Sequence, residues 1–304
     1  MKGFGMLVNL AQAITSGIVT GCVYSLIALS IVIVYKSSEA VNFASGEFFM
    51  VGAYIALFLI VSHSLPYYFV FPIVAVSTFA LGAAFERLVI VRIIKRTKGR
   101  ESPLIPIVIA TFGLSMMLKG FVRTFPYTEE ARSLPGLLQG PPFFVGPVII
   151  LRSDLAIVAI SVVAILGFWL FFSYSLLGKA LRASSQNARS AALSGIPVTN
   201  MRMVVWAIAG AMAGISGVLV GPKLGLTPDM GGVIMIALAA AVIGGFNNLP
   251  GSIIGGFVVG ILQNMMGFFI GSETIVVAPF IIIMMVLVFR PQGLFGGAIH
   301  VKKV

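Results

Sequence analysis

The 304-residue chain is short of charge. Asp, Glu, Lys and Arg make up 10% of it, against 59% hydrophobic residues and a mean hydropathy of +1.09. A soluble domain carries about 25% charge. The polar side chains here are too few to cover a water-facing surface, which excludes a soluble globular enzyme, a disordered chain and a nucleic-acid binder. Cysteine is nearly absent: Cys22 is alone and has no partner for an internal disulfide. Histidine is scarce too. His63 and His300 have no carboxylate or cysteine at ligand spacing, so no metal site is expected. There is no G-x-S-x-G elbow. At Gly178-Lys179 a phosphate loop fails twice, because Ser173 stands where its first glycine belongs and Ala180 follows the lysine. The chain is therefore expected to be non-catalytic, without a cofactor and unable to hydrolyse ATP by itself.

Long apolar runs are abundant. They fall near 10–35, 47–62, 67–86, 104–121, 154–173, 203–221, 232–245, 252–271 and 275–289. A span needs about 20 residues at 1.5 Å rise, so the short runs at 47–62 and 232–245 fit broken or re-entrant helices. The expectation is an all-α polytopic membrane protein with eight to nine membrane segments in one domain over 1–304. The runs lack dyad alternation, which argues against a β-barrel. Met1-Lys2 leads into an apolar stretch without an A-x-A-like cleavage site, and reads as a retained first span.

The net charge of +11 comes from 20 basic and 9 acidic residues. Fourteen of the basic residues cluster in four places: Lys36; Arg87, Arg92, Lys95, Arg96, Lys98 and Arg100; Lys179, Arg182, Arg189 and Arg202; and Arg290, Lys302 and Lys303. Crossing at every run puts all four on the cytoplasmic side. The N-terminus is then extracytoplasmic and the C-terminus cytoplasmic. The loop 122–153, mixed in sign with Arg123, Glu129, Glu130, Arg132 and Arg152, becomes an external, turn-rich segment. Topology alone accounts for the basic residues of 87–100; a patch for anionic lipid is the lesser alternative.

Four stretches could carry function. In the first, Asn42 and Ser45 are helix-starting types, Gly46 permits close backbone approach and Glu47 suits a first turn. This is either a broken helix beside a pathway or an ordinary capped turn with a water-facing Glu47. The second, 178–197, is too polar to span. Leu181, Ala188 and Ala192 recur at intervals of 7 and 4 and define a narrow small-residue face, while Arg182 and Arg189 share another. Gly195 with Pro197 beyond it is a helix stop. One or two short cytoplasmic helices result, either a membrane-surface linker or, better supported, a docking element. Third come the glycine rows: Gly17 and Gly21; Gly210, Gly214, Gly217 and Gly221; Gly251, Gly255, Gly256 and Gly260. They suit close helix packing. Last, Asn247 and Asn248 lie in a tight turn, and Gln263 and Asn264 lie mid-span. These four satisfy helix ends and neighbouring helices or line a pathway.

Ordered motifs then resemble a family. They are Gly21-x-x-Tyr24-x-Leu26-x-Ala28-Leu29 and Asn42-Phe43-Ala44-x-Gly46-Glu47-x-x-Met50-x-Gly52-Ala53-Tyr54. Glu86-Arg87 follows, then Gly178-Lys179-Ala180-Leu181-Arg182-Ala183 through Gly195-Ile196. Gly244-Gly245 with Pro250-Gly251-x-x-x-Gly255-Gly256 comes next, and Arg290-Pro291-x-Gly293-Leu294-Phe295-Gly296 closes the series. Together they resemble the shorter, LivH-type permease of branched-chain amino acid ABC importers, over nearly the whole chain. The resemblance implies a type II-like importer permease in the bilayer. It also implies a second permease, two ABC ATPase subunits and an extracytoplasmic substrate-binding protein as partners. It assigns 179–196 to ATPase coupling, with Arg182, Ala183, Asn187, Ala188, Arg189, Ala192 and Gly195 as candidates. It associates Asn42, Ser45, Glu47 and Tyr54 with the translocation pathway, to which Asn247, Asn248, Gln263 and Asn264 are added from their polarity. Ser45 stands where the family often has histidine, and Phe246-Asn247-Asn248 replaces a Gly-containing turn. Related systems carry urea or short amides. An ion-coupled secondary transporter using Glu47 is the alternative from another class; an intramembrane enzyme lacks any nucleophile–base pair.

Overall fold

The computed structural model describes residues 2–97, 103–125, 128, 132–138, 140–290 and 293–295. The expectations for Lys98, Arg100, Glu129, Glu130, Pro291, Gly296, His300, Lys302 and Lys303 lie outside the described residues. Each of the nine apolar runs is a helix. In chain order the long ones are α1 (Lys2–Ser38), α2 (Ser45–Leu57, continued by a π-helical turn at Phe58–Ser62) and α3 (Tyr67–Phe85). A second π turn at Glu86–Ile90 leads α3 into α4 (Val91–Thr97), followed by α5 (Leu104–Arg123). A hairpin of β1 (Phe143–Val145) and β2 (Val148–Ile150) precedes α6 (Arg152–Tyr174). Then come α7 (Leu176–Gln186), α8 (Ala188–Leu193), α9 (Val198–Val220), α10 (Val233–Gly244), α11 (Leu249–Phe269) and α12 (Thr274–Phe289). Among the described residues seven helices are long and apolar enough to cross a membrane; Met230–Gly244 and Thr274–Phe289 are shorter apolar helices.

Two details differ from the sequence reading. Residues 87–97 are helical, not a loop, because the π turn carries α3 on into α4. The segment 122–153 contains the β1–β2 hairpin as well as turns, tied to α1 by reciprocal bonds between the Gln12 amide and the Ile149 backbone at 3.0 and 3.1 Å.

The chain divides into two compact units. The first comprises 1–32, 137–161 and 235–304. In it α1 and α11 meet along small residues. A Cβ on Gly17 would fall 2.6 Å from the Ile261 Cα, and one on Gly256 2.5 Å from the Ser25 nitrogen. The Ser25 hydroxyl donates to the Ile253 carbonyl at 2.8 Å. Mid-span amides complete the packing: Asn264 Nδ2 donates to Thr20 Oγ1 at 2.8 Å, and Gln263 Nε2 to the Ile275 carbonyl at 2.8 Å. In lipid such bonds hold helices together where apolar burial against lipid cannot.

The second unit comprises 33–136 and 162–234. Its core is α9 wedged between α2 and α3. Cβ atoms on Gly217 and Gly52 would fall 2.0 Å from the Phe49 carbonyl oxygen and 2.4 Å from the Gly214 carbonyl oxygen. Backbones touch here, and every glycine of that row is used by a neighbour. Ala53, Ala56, Leu57, Val70, Val74, Leu134, Val218 and Leu226 fill the rest.

Candidate pathway and docking sites

The break between α1 and α2 sits deep in the second unit. Glu39 takes a left-handed φ of 55° where α1 ends, a conformation that costs a non-glycine residue roughly 1 kcal/mol or more. The connecting segment is pinned to the middle of α5. The Phe43 amide donates to Thr111 Oγ1 at 3.3 Å, and the Phe43 and Phe112 rings stack with centroids 4.3 Å apart. Phe48 in turn packs on Gly210, near the midpoint of α9. Helix α2 thus starts halfway along two helices long enough to span. A Cβ on Gly46 would lie 2.0 Å from the Gly231 carbonyl oxygen, so only glycine allows this approach.

The polar side chains at that start are buried. Asn42 is 2% exposed, Ser45 1% and Glu47 8%. Asn42 Oδ1 accepts from the Ala44 amide at 3.0 Å, an Asx turn that leads into the helix. Ser45 does not cap α2: the N-cap is Ala44, and the buried Ser45 Oγ has no hydrogen-bond partner. Glu47 Oε2 and the Tyr54 hydroxyl are also without one. The carboxyl of Glu47 lies beside Gly231, within hydrogen-bonding reach of Ser115 and in the field of Lys119. A water-facing Glu47 is therefore corrected: the residue is enclosed by α5, α2 and the turn before α10. Hydropathy could not give its depth, because one charged residue scarcely changes a window average.

At the α5 C-terminus, Lys119 Nζ pairs with Asp229 at 2.5 Å and Arg123 with the same carboxylate at 3.3 Å. The hydrogen bond from Lys119, with Arg123 behind it, holds the Asp229 carboxyl below its usual range. Asp229, 110 residues away from Lys119 in sequence, carried no local signal. The Glu86–Arg202 pair was equally unforeseen. Glu86 is fully buried and accepts from Arg202 Nε at 2.7 Å.

The four added polar residues belong to the first unit and are in caps, turns and helix contacts. Asn248 caps α11, its Oδ1 accepting from the Gly251 amide at 3.1 Å, and its Nδ2 donates to the Phe295 carbonyl at 3.0 Å. Asn247 is exposed in the turn before it. Gln263 and Asn264 bond neighbouring helices as described.

The polar stretch after α6 forms two helices. Ser175 caps α7, accepting from the Gly178 amide at 2.8 Å. Asn187, extended at φ −151° and ψ 98°, ends α7 and starts α8; its Oδ1 accepts from Arg189 and Ser190 amides at 3.1 and 3.0 Å. The continuous Leu181–Ala188–Ala192 face is thereby corrected, as is the shared face of Arg182 and Arg189. Helical phase does not carry through an extended residue. Leu181 and Ala191 point inward, while Arg182, Asn187, Ala188, Arg189, Ala192 and Gly195 are exposed and Ala183 is half-buried. Gly195 ends α8 at φ +81°. The Ile196 amide bonds the Ala191 carbonyl and the Gly195 amide the Ala192 carbonyl, at 3.0 and 3.1 Å, which is the Schellman closure. The sequence reading missed Leu193, 85% exposed beside Ala192. A leucine on a helix too polar to span was the available signal.

Glycine-packed helices around buried polar groups, with a short capped helix pair between two long ones, define a polytopic membrane permease. The chain belongs to the family described as "Branched-chain amino acid transport system / permease component", whose model matches residues 13–289. It is similar to the high-affinity branched-chain amino acid transport system permease protein BraD of Pseudomonas aeruginosa, 31% identical over 96% of this chain and 97% of that one. It is also similar to LivH of Escherichia coli K12, 30% identical with coverage of 96% and 97%. A probable LivH permease of Methanocaldococcus jannaschii is 28% identical, with coverage of 89% and 88%. Among solved structures, PsaBC from Streptococcus pneumoniae in complex with Fab aligns with a TM-score of 0.50 at 16% identity, covering 93% of this chain and 92% of that one. That likeness concerns the fold.

Proposed function

We infer that this chain is the non-catalytic permease subunit of an ATP-driven importer for branched-chain amino acids in a prokaryotic inner membrane. It acts as a single permease domain and lines the pathway together with a second permease. Separate ATPase subunits drive it and an extracytoplasmic binding protein delivers the substrate. The N-terminus is extracytoplasmic, and α7, α8 and the C-terminus are cytoplasmic. The observation that carries this reading is the near full-length match to permeases named for that transport. Asn42, Ser45, Glu47 and Tyr54 contribute to the pathway: α2 gathers Ser45 Oγ, Glu47 Oε2 and the Tyr54 hydroxyl, which have no hydrogen-bond partner in the protein and which a polar solute can meet. Arg182, Ala183, Asn187, Ala188, Arg189, Ala192 and Gly195, joined by Leu193, receive the ATPase. Movement of α8 reaches the pathway through α9, which it precedes by four residues and which packs against α2. The core then switches by rocking of helix groups.

The test is a binding screen of the cognate external protein with Leu, Ile, Val, urea and short amides, followed by uptake in cells carrying all subunits. Uptake of the three amino acids, lost when the ATPases are omitted, is the expected result. Binding of urea or amides alone would move the substrate to that class. The buried Glu47 favours one further rival, ion coupling. Accumulation by the chain reconstituted alone on an ion gradient would establish that rival; Glu47→Gln retaining ATP-driven uptake in part counts against it.

A further inference from the structure

The second unit has a cavity of about 330 Å³ beside the first turn of α9, lined by Arg87, Arg92, Lys95, Thr199, Asn200 and Met203. Glu86 is the acid in that lining, and its charge is answered by Arg202 at 2.7 Å. The lining is left with three cations, a hydroxyl and an amide. Glu86 and Arg87 open the π turn at Glu86–Ile90. Glu86 is buried and bonded to Arg202 of α9, while Arg87, the next residue, is exposed. Arg92 Nη1 is anchored on the Leu88 carbonyl. Three cations around a small polar hollow match a phosphate group.

The apolar surroundings choose its source. Phe69, Ile73, Val76 and Phe79 are exposed along α3, and Leu88, 54% exposed, follows Arg87 in the chain. An acyl chain can lie on such a stripe while its headgroup enters the cavity; a free anion would leave the stripe unused. We propose that this cavity binds the phosphate headgroup of an anionic membrane lipid, with an acyl chain along α3. The lipid would bridge the α3–α4 helix to the start of α9, directly after the docking pair. The site does not depend on which solute is transported.

The test uses the full chain in phosphatidylcholine nanodiscs doped with phosphatidylglycerol, with retained lipid counted by native mass spectrometry. Phosphatidylglycerol should be retained about tenfold over phosphatidylcholine of the same chain length, the scale expected of a few basic groups near a membrane surface. Arg87→Gln/Lys95→Gln should remove that preference. Arg87→Lys/Lys95→Arg should keep it, as should Arg96→Gln, whose exposed cation lies outside the lining. Equal retention of the two lipids by the unmodified chain overturns the proposal without any variant. So does an unchanged preference in the double Gln variant. Displacement of the lipid by millimolar inorganic phosphate would assign the cavity to a free anion and overturn the lipid.

Discussion

The start of α2 and the α7–α8 pair are both islands of polarity in an apolar chain, and they handle it in opposite ways. Asn42, Ser45 and Glu47 are buried, and two of them keep oxygens without partners. Arg182, Asn187, Arg189 and Gly195 are exposed, and the backbone ends around them are closed by Ser175, Asn187 and a Schellman turn. A buried oxygen left without a partner costs about 1–3 kcal/mol. A capped, exposed helix pair carries no such cost and offers a rigid surface. The contrast is what the proposed roles, a pathway at the α2 start and a docking surface at α7–α8, call for.

Glycine substitution breaks the comparison hardest. Gly46→Ala puts a Cβ 2.0 Å from a backbone oxygen that cannot swing away. Overpacking of this kind costs about 3 kcal/mol or more, so folded protein should largely vanish in fluorescence-detected size exclusion. Gly195→Ala meets nothing within 4 Å and carries only its φ of +81°, a cost of about 1–2 kcal/mol confined to the end of α8. It should survive purification. Equal losses in both would mean that the α2 start is no more tightly built than the α7–α8 pair.

The next effect separates roles. Ala192→Glu or Leu193→Glu adds charge to the exposed face of α8 and should cut ATPase co-purification at least about tenfold, about 1.4 kcal/mol, with membrane insertion intact. Glu47→Gln should lower uptake while leaving co-purification untouched. The comparison fails if the two readouts move together in both variants. Asn187→Ala is milder. It removes acceptors from two amides, worth about 1 kcal/mol, and should raise hydrogen exchange over 188–193 without altering the α2 start.

The helices were legible because apolar runs of this length can satisfy their backbones only internally. Gly210, Gly214 and Gly217 were legible as a packing row because their spacing is helical, and the structure finds a neighbour against each. The break at Asn187 was half legible: two helices were allowed, yet the face was drawn through both, since spacing cannot reveal one extended residue. Depth was not legible at all. Ser45 reads the same whether its helix starts at the membrane surface or halfway along α5; only the contacts of Phe43 with Thr111 and Phe112 decide. Glu86 with Arg202 and Lys119 with Asp229 pair over long separations, and a single sequence holds no trace of such distances.

The contrast between buried and exposed polarity recurs in two carboxylates that feel Lys119. Glu47 is enclosed, whereas the Asp229 side chain is 66% exposed and held below its usual range by Lys119 and Arg123. A depressed carboxylate stabilises the fold at pH values above its unfolded pKa. That contribution disappears as pH falls through the lower folded value. Asp229→Asn should therefore lower Tm slightly at neutral pH, by at most about 2 °C for so exposed a pair. The difference should be unchanged down to about pH 5 and close below about pH 4, where the unfolded carboxyl begins to hold its proton. It should also shrink in 1 M salt, where the screening length falls to about 3 Å. A Tm difference that does not begin to narrow below about pH 4, or that resists salt, would show that Asp229 acts by packing the turn before α10 and not by its charge.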